Sequence, residues 1–121
     1  MSKEVINTIK SKSTIRVVGA GAKTVTLSEL EKNANETVTA AAITLALSST
    51  DGVWSVYRGD DNTGELVLQI VGNAELAFTQ HDISIANTST ANFYLNNSGT
   101  YGTLILNVSK TASYATPLEE L

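Results

Sequence analysis

Apolar and polar positions alternate with a period of two through most of this chain, and the interruptions mark the turns. Thr14-Ile-Arg-Val-Val18 is a β-branched run, Gly19 to Ala22 breaks it, and Lys23 to Leu27 resumes it with Val25 and Leu27 on one side. Those two runs predict a hairpin. From Val38 to Leu47 the alternation sets Ile43, Leu45 and Leu47 on one face and Thr44, Ala46 and Ser48 on the other. Asp51-Gly52 follows, a dipeptide that favours a tight hairpin turn between alternating runs. In Val53 to Arg58, Trp54 and Val56 share a face, and Trp54 is the expected centre of the core.

A six-residue polar connection, Gly59 to Gly64, leads to Leu66, Leu68 and Ile70, interleaved with Val67, Gln69 and Val71. Apolar residues on both faces there predict a central strand or a contact between subunits. Gly72-Asn73 turns the chain into Ala74 to Phe78, and further strands are expected around Ile83 and Ile85, from Asn92 to Leu95, and from Thr103 to Val108. Nine or so short strands at this spacing predict an all-β, single-domain antiparallel β-sandwich, jelly-roll-like, with only short helical turns. Ser28 with Glu31 matches a capping box cut short by Asn33 and Asn35, and Thr116-Pro117 could start a helix. Residues 1–12 stand apart: Val5, Ile6 and Ile9 are spaced for a helical face, but the stretch is short, uncapped and rich in Asn, Thr and Ser. It reads as an N-terminal arm before a sandwich over 13–121.

Composition narrows the class. Apolar residues make up 42% of the 121 and Asp, Glu, Lys and Arg only 17%, so the chain carries enough core material to fold as one domain. Its polar surface is neutral, with 16 Thr, 12 Ser and 10 Asn, a bias toward strands and tight turns. The absence of cysteine excludes disulfides and thiolate chemistry. No apolar run is long enough for a membrane helix, and no secretory leader is predicted. The formal charge of −4 is bipolar: residues 1–23 balance at +4 and residues 24–121 at −8. A basic leading segment on an acidic body could clamp a neighbour's acidic surface. Without an arginine cluster, and with a pI near 4.8, nucleic acid is not an expected partner.

Several tempting motifs weaken under chemical scrutiny. Val17 to Thr24 resembles a phosphate loop, but Ala22 precedes Lys23 where a Walker loop requires glycine, and Thr24 fills the third glycine of a dinucleotide fingerprint. Asp60, Asp61, Asn62 and Glu65 could offer oxygen ligands to calcium, yet the EF-hand spacing is missing, so no metal is assigned. Arg58-Gly59-Asp60 spells the integrin tripeptide and is read as turn chemistry. His81-Asp82 near Ser84 lacks a nucleophile elbow, which leaves no expected catalytic set and no expected cofactor. Sequons begin at Asn35, Asn87, Asn96 and Asn107, as Asn and Thr abundance alone would produce. Tyr57, Phe93, Tyr94 and Tyr101 would form a sugar-binding groove if they shared an exposed face; a core or subunit contact is the other reading.

The segments Thr24-Val-Thr-Leu-Ser-Glu-Leu30, Asn35-Glu-Thr-Val-Thr-Ala-Ala41, Val53-Trp-Ser-Val-Tyr-Arg-Gly59 and Gly102-Thr-Leu-Ile-Leu-Asn-Val-Ser-Lys110 resemble small virion structural proteins of tailed phages, particularly marine ones. The resemblance spans residues 24 to 110 and rests on strand and turn patterns. It implies a non-enzymatic β-sandwich, made in the host cytoplasm, that decorates or cements the outer surface of a capsid. The major capsid protein and further copies of the chain are the implied partners. On this reading the capsid contact falls to the arm and the strand after it, through Lys3, Val5, Ile6, Ile9, Lys10, Lys12 and Arg16. Contact between copies falls to Leu66, Val67, Leu68, Ile70 and Val71. The alternative is a carbohydrate-binding or fibre and tail-associated sandwich module.

Overall fold

The computed structural model describes residues 2–9, 12–31, 36–77 and 90–114. Among them nine strands form two antiparallel sheets, and the protein is an all-β sandwich. The strands are β1 (Ser2–Ile9), β2 (Lys12–Val18), β3 (Gly21–Val25), β4 (Glu36–Thr50), β5 (Val53–Arg58), β6 (Glu65–Val71), β7 (Ala74–Ala77), β8 (Phe93–Asn97) and β9 (Gly102–Tyr114). The larger sheet has the order β1-β2-β9-β4-β7 and the smaller β3-β8-β5-β6. Expectations for Phe78, for a strand at Ile83 and Ile85, and for a helix start at Thr116-Pro117 lie outside the described residues.

The pairing is nested: β5 with β6, β4 with β7, β3 with β8, and β2 with β9. Two further ladders, β4 with β9 and β5 with β8, join these pairs into the two sheets. The expected hairpins at Gly19 to Ala22 and at Asp51-Gly52 are corners instead. β2 and β4 belong to one sheet, β3 and β5 to the other, so the chain changes layer at each break. Gly19, at φ 118°, supplies a backbone conformation that a side chain would oppose.

Side-chain alternation places the core between the layers. Ile15 and Val17, Trp54 and Val56, Phe93 and Leu95, and Leu104 and Leu106 are all fully buried. Each large side chain so buried stabilises the fold by about 1.5–3 kcal/mol. β4 departs from simple alternation because it bulges twice against β9, between Val38 and Ala40 and between Ile43 and Leu45. An extra residue reverses which face follows. Ile43 is therefore inward but Ala46 follows it there, while Leu45 and Leu47, expected beside Ile43, turn to the outer face. Each bulge is closed by the hydroxyl of its extra residue, Thr39 donating to Thr111 O at 3.3 Å and Thr44 to Asn107 O at 3.1 Å.

The short turn after β3 is a 3₁₀ segment, Leu27–Leu30. Its cap is Thr26, two residues before the expected Ser28: Glu29, not Glu31, reaches back to accept the Thr26 N–H at 3.0 Å. Residues 1–12, expected as an arm, contribute a strand to the sandwich. Over Ser2–Ile9 they form the edge of the larger sheet, from Ser2 opposite Val18 to Ile9 opposite Lys12.

Candidate adhesive surfaces

The residues singled out at the leading end divide between the interior and the surface. Lys3 points between the layers, where its Nζ lies 2.6 Å from the Glu29 carboxylate and donates to Thr24 O at 3.0 Å. Burial acts to raise the Glu29 carboxyl, but the Lys3 ammonium and the Thr26 backbone and hydroxyl outweigh it and hold the group below its ordinary value. Val5 packs against the core. Ile6, Lys12 and Arg16 face outward together, because Ile6 stands opposite Thr14 and strand parity sends Lys12, Thr14 and Arg16 to the same side. Arg16 lies 3.8 Å from Glu4, an exposed pair of small energetic weight. Ile9 is placed by its backbone alone, and Lys10 lies outside the described residues.

Ile6, Lys12, Thr14, Thr44 and Asn107 line a shallow cleft of about 230 Å³ on this outer face. Thr14 donates to Asn107 Oδ1 at 3.0 Å across its floor. The Thr44 bulge opens the ladder at the same place.

The second set, on β6, is also split. Between Val56 and Tyr57 the β5–β6 register shifts so that Leu68 faces Val56 and Leu66 faces Tyr57, which leaves Val67 as the extra residue. Leu68 and Ile70 are core residues and Val67 packs against the core. Only Leu66 and Val71 face solvent, Val71 at 75% exposure. Among the described residues β6 is an edge strand, so of the two readings its apolar pattern allows, a central strand or a contact between subunits, the first does not hold. Of the aromatic residues, Tyr57 and Tyr94 pair across the outer face of the smaller sheet with ring centroids 6.0 Å apart. Phe93 is buried and Tyr101 stands exposed in the β8–β9 turn.

Polar chemistry elsewhere is committed to structure. Asn97, 3% exposed, is the centre of one end. Its Nδ2 donates to Gly19 O at 2.8 Å and Tyr101 O at 3.1 Å, and its Oδ1 accepts from Gly99 N–H at 3.0 Å. The Thr50 hydroxyl lies 2.8 Å from the same Oδ1. Corners between β2 and β3, β4 and β5, and β8 and β9 thus meet at one amide. Asp51 clasps the last of them by accepting from the Thr100 hydroxyl, Thr100 N–H and Tyr101 N–H, which holds its carboxyl below the ordinary range. Here glycine is required: a Cβ on Gly52 would sit 2.5 Å from Gly99 N.

At the opposite end Arg58 is 4% exposed, with Nη1 donating to Ala41 O at 2.6 Å and Nη2 to Ala91 O at 2.7 Å. Its guanidinium lies 4.1 Å from the centre of the Phe93 ring. Desolvation pulls its pKa down to about 10, partly opposed by Glu65. Lys110, also buried, donates to Leu30 O. Arg58 of the Arg58-Gly59-Asp60 tripeptide is buried while Asp60 is exposed, so the arginine and the carboxylate are not presented together on the surface. Asp60 accepts from Asn92 Nδ2 at 2.7 Å while Asp61 accepts from Thr63 N–H at 2.9 Å, so the two loop carboxylates turn to different partners. No group of three metal-ligating side chains converges among the described residues. His81, Asp82 and Ser84 lie outside those residues.

Asn97, Thr50 and Lys110 are structural centres that no sequence motif marks. Lys110 carried a signal, since it continues the inward series Leu104, Leu106, Val108. Asn97 carried none that distinguishes it from Asn96. No protein family matches the chain, and no curated protein or solved structure matches it either.

Proposed function

We propose that this chain is a non-enzymatic virion structural protein that decorates and cements the outer surface of a phage capsid by binding the major capsid protein. The observation that carries the reading is the nested strand pairing. The order β2-β9-β4-β7 over β3-β8-β5-β6 supports reading the sandwich as a long antiparallel hairpin rolled up in the jelly-roll manner, an architecture used by viral capsid and lectin domains. The outer patch of Ile6, Lys12 and Arg16 supports it, since it joins apolar area to positive charge on a chain that is otherwise acidic. Attachment on this reading is passive: many identical small contacts on a symmetric shell add up to resistance against internal pressure.

The test is binding to purified shells that lack the protein. Because residues 2–9 form an edge strand, their deletion would disturb the fold, and the outward pair is the cleaner target. Lys12→Glu with Arg16→Glu should keep the wild-type circular dichroism and lose shell binding; binding equal to wild type would exclude this patch. The Tyr57–Tyr94 pair favours a second reading, a carbohydrate-binding module, because aromatic faces on an outer sheet surface suit the apolar side of a sugar ring. A glycan array with and without chelator, run on wild type and on Tyr57→Ala, separates the two.

A further inference from the structure

We infer that the cleft on the outer face of the larger sheet is a recognition site for one acidic side chain, a glutamate presented by the protein to which the chain attaches. The inference rests on the attachment reading above and names the contact it uses. At about 230 Å³ the cleft falls below the roughly 300–1,000 Å³ of small-molecule sites, and a single protruding side chain is the occupant of matching size.

Strand register builds the cleft. Ile6, Thr14 and Asn107 stand in one row across β1, β2 and β9, and Lys12 comes two residues before Thr14 on the same face. The row ends at the bulge, where Thr44 leaves the ladder between β4 and β9. The hydrogen-bond inventory decides what fits there. Thr14 donates its hydroxyl proton to Asn107 Oδ1 and Thr44 donates its own to Asn107 O, so neither keeps a proton for a ligand. The first bond also sets the amide, engaging its oxygen and leaving Nδ2 as the free end. Among the described residues Asn107 Nδ2 and Lys12 Nζ have no partner. The cleft therefore offers donors, one of them charged, and the acceptor they match is a carboxylate, with two oxygens and a single negative charge. A neutral amide would leave the ammonium uncompensated, and a phosphate dianion carries more charge than one lysine balances. Lys12 also belongs to the leading segment 1–23, which balances at +4 and draws the same sign of ligand. Ile6, exposed at the rim, suits the methylenes of glutamate.

The test is NMR titration of the isotope-labelled full chain in about 0.15 M salt, where charges more than about 8 Å apart are largely screened. Acetyl-Gly-Glu-Gly-amide should shift the Asn107 side-chain amide and the Lys12 and Thr14 backbone amides saturably, and its glutamine counterpart should not. Asn107→Asp should keep the fold and weaken the glutamate response by roughly ten-fold or more, because an oxygen replaces the donating nitrogen. Asn73→Asp makes the same change of atom and charge in the exposed turn between β6 and β7, and should keep the response within about two-fold. Equal responses to the two peptides, or equal losses in the two variants, overturn the inference. So do the same shifts on concentrating the protein without peptide, which would give the cleft to a second copy. Shells that bind wild type while the cleft ignores glutamate sink this contact and leave attachment standing. A cleft that takes glutamate on a protein that shells reject keeps the site and overturns the capsid as its source.

Discussion

Where Thr50, Asn97 and Tyr101 meet, the interior polar groups are neutral; at the far end of the same sandwich, Arg58 and Lys110 carry formal charge into the interior. Both ends solve one problem. Chain corners leave backbone carbonyls and N–H groups that no ladder satisfies, and each must find a partner. An amide can both donate and accept, so Asn97 meets two carbonyls and an N–H at once. A guanidinium only donates, so Arg58 serves two carbonyls from separate segments and lies against Phe93. The neutral end closes at little electrostatic cost. The charged end gains reach across the layers but holds its cation in a poorly solvated place, as the lowered Arg58 pKa registers.

Substitutions can test that contrast. The largest effect should come from Arg58→Ala, which leaves two carbonyls without charged donors and empties a core site; a loss of about 3–6 kcal/mol in urea unfolding is expected. A loss below about 1 kcal/mol would show that the charged end is not a staple. Asn97→Ala should cost about 2–4 kcal/mol, from several buried partners left unmatched. Asn97→Asp sharpens the point: its carboxylate would face two carbonyl oxygens, so the variant should be weakest at neutral pH and recover as the group protonates. Equal deficits at acid and neutral pH would contradict this account.

Smaller effects belong to the ladder between the ends. Thr44→Val and Thr39→Val each remove one hydroxyl bond across a bulge and should each cost about 1 kcal/mol. The smallest effect is the pH response of the intact chain. Glu29, Asp51 and Asp61 are all held below their ordinary values in the folded chain. A carboxyl with a lowered folded pKa stabilises above its unfolded value, and that contribution fades as pH falls through the lowered one. Thermal stability should therefore decline below about pH 4, less steeply in Asp51→Asn.

Strand parity was readable wherever a strand is regular. It puts Trp54 and Val56 on one face with Trp54 in the core, as observed, and the all-β sandwich follows from the spacing of such runs. Parity failed at the bulges, because Thr44 and Val67 look like ordinary strand residues until the partner register is known. Leu45 and Leu47 accordingly leave the face of Ile43, and β6, whose pattern suits a central strand or a contact between subunits, lies at a sheet edge among the described residues. Turn chemistry located the breaks at Gly19 and Asp51-Gly52, but the same glycines suit a hairpin and a change of layer, and only tertiary packing distinguishes the two. Of the residues proposed for attachment, Ile6, Lys12 and Arg16 lie on the surface, whereas Lys3 meets Glu29, a partner that no local spacing announces.

β9 lies between β2 and β4, so the larger sheet has a gap at its centre until β9 arrives. A ribosome releasing this chain from its first residue would present a sandwich with two facing rows of waiting amides until about residue 110 had emerged. Closure on that schedule is a late, long-range event, slow by the measure of contact order. Nascent chains stalled before Gly102 should accordingly be protease-sensitive throughout, apart from the local β5–β6 hairpin.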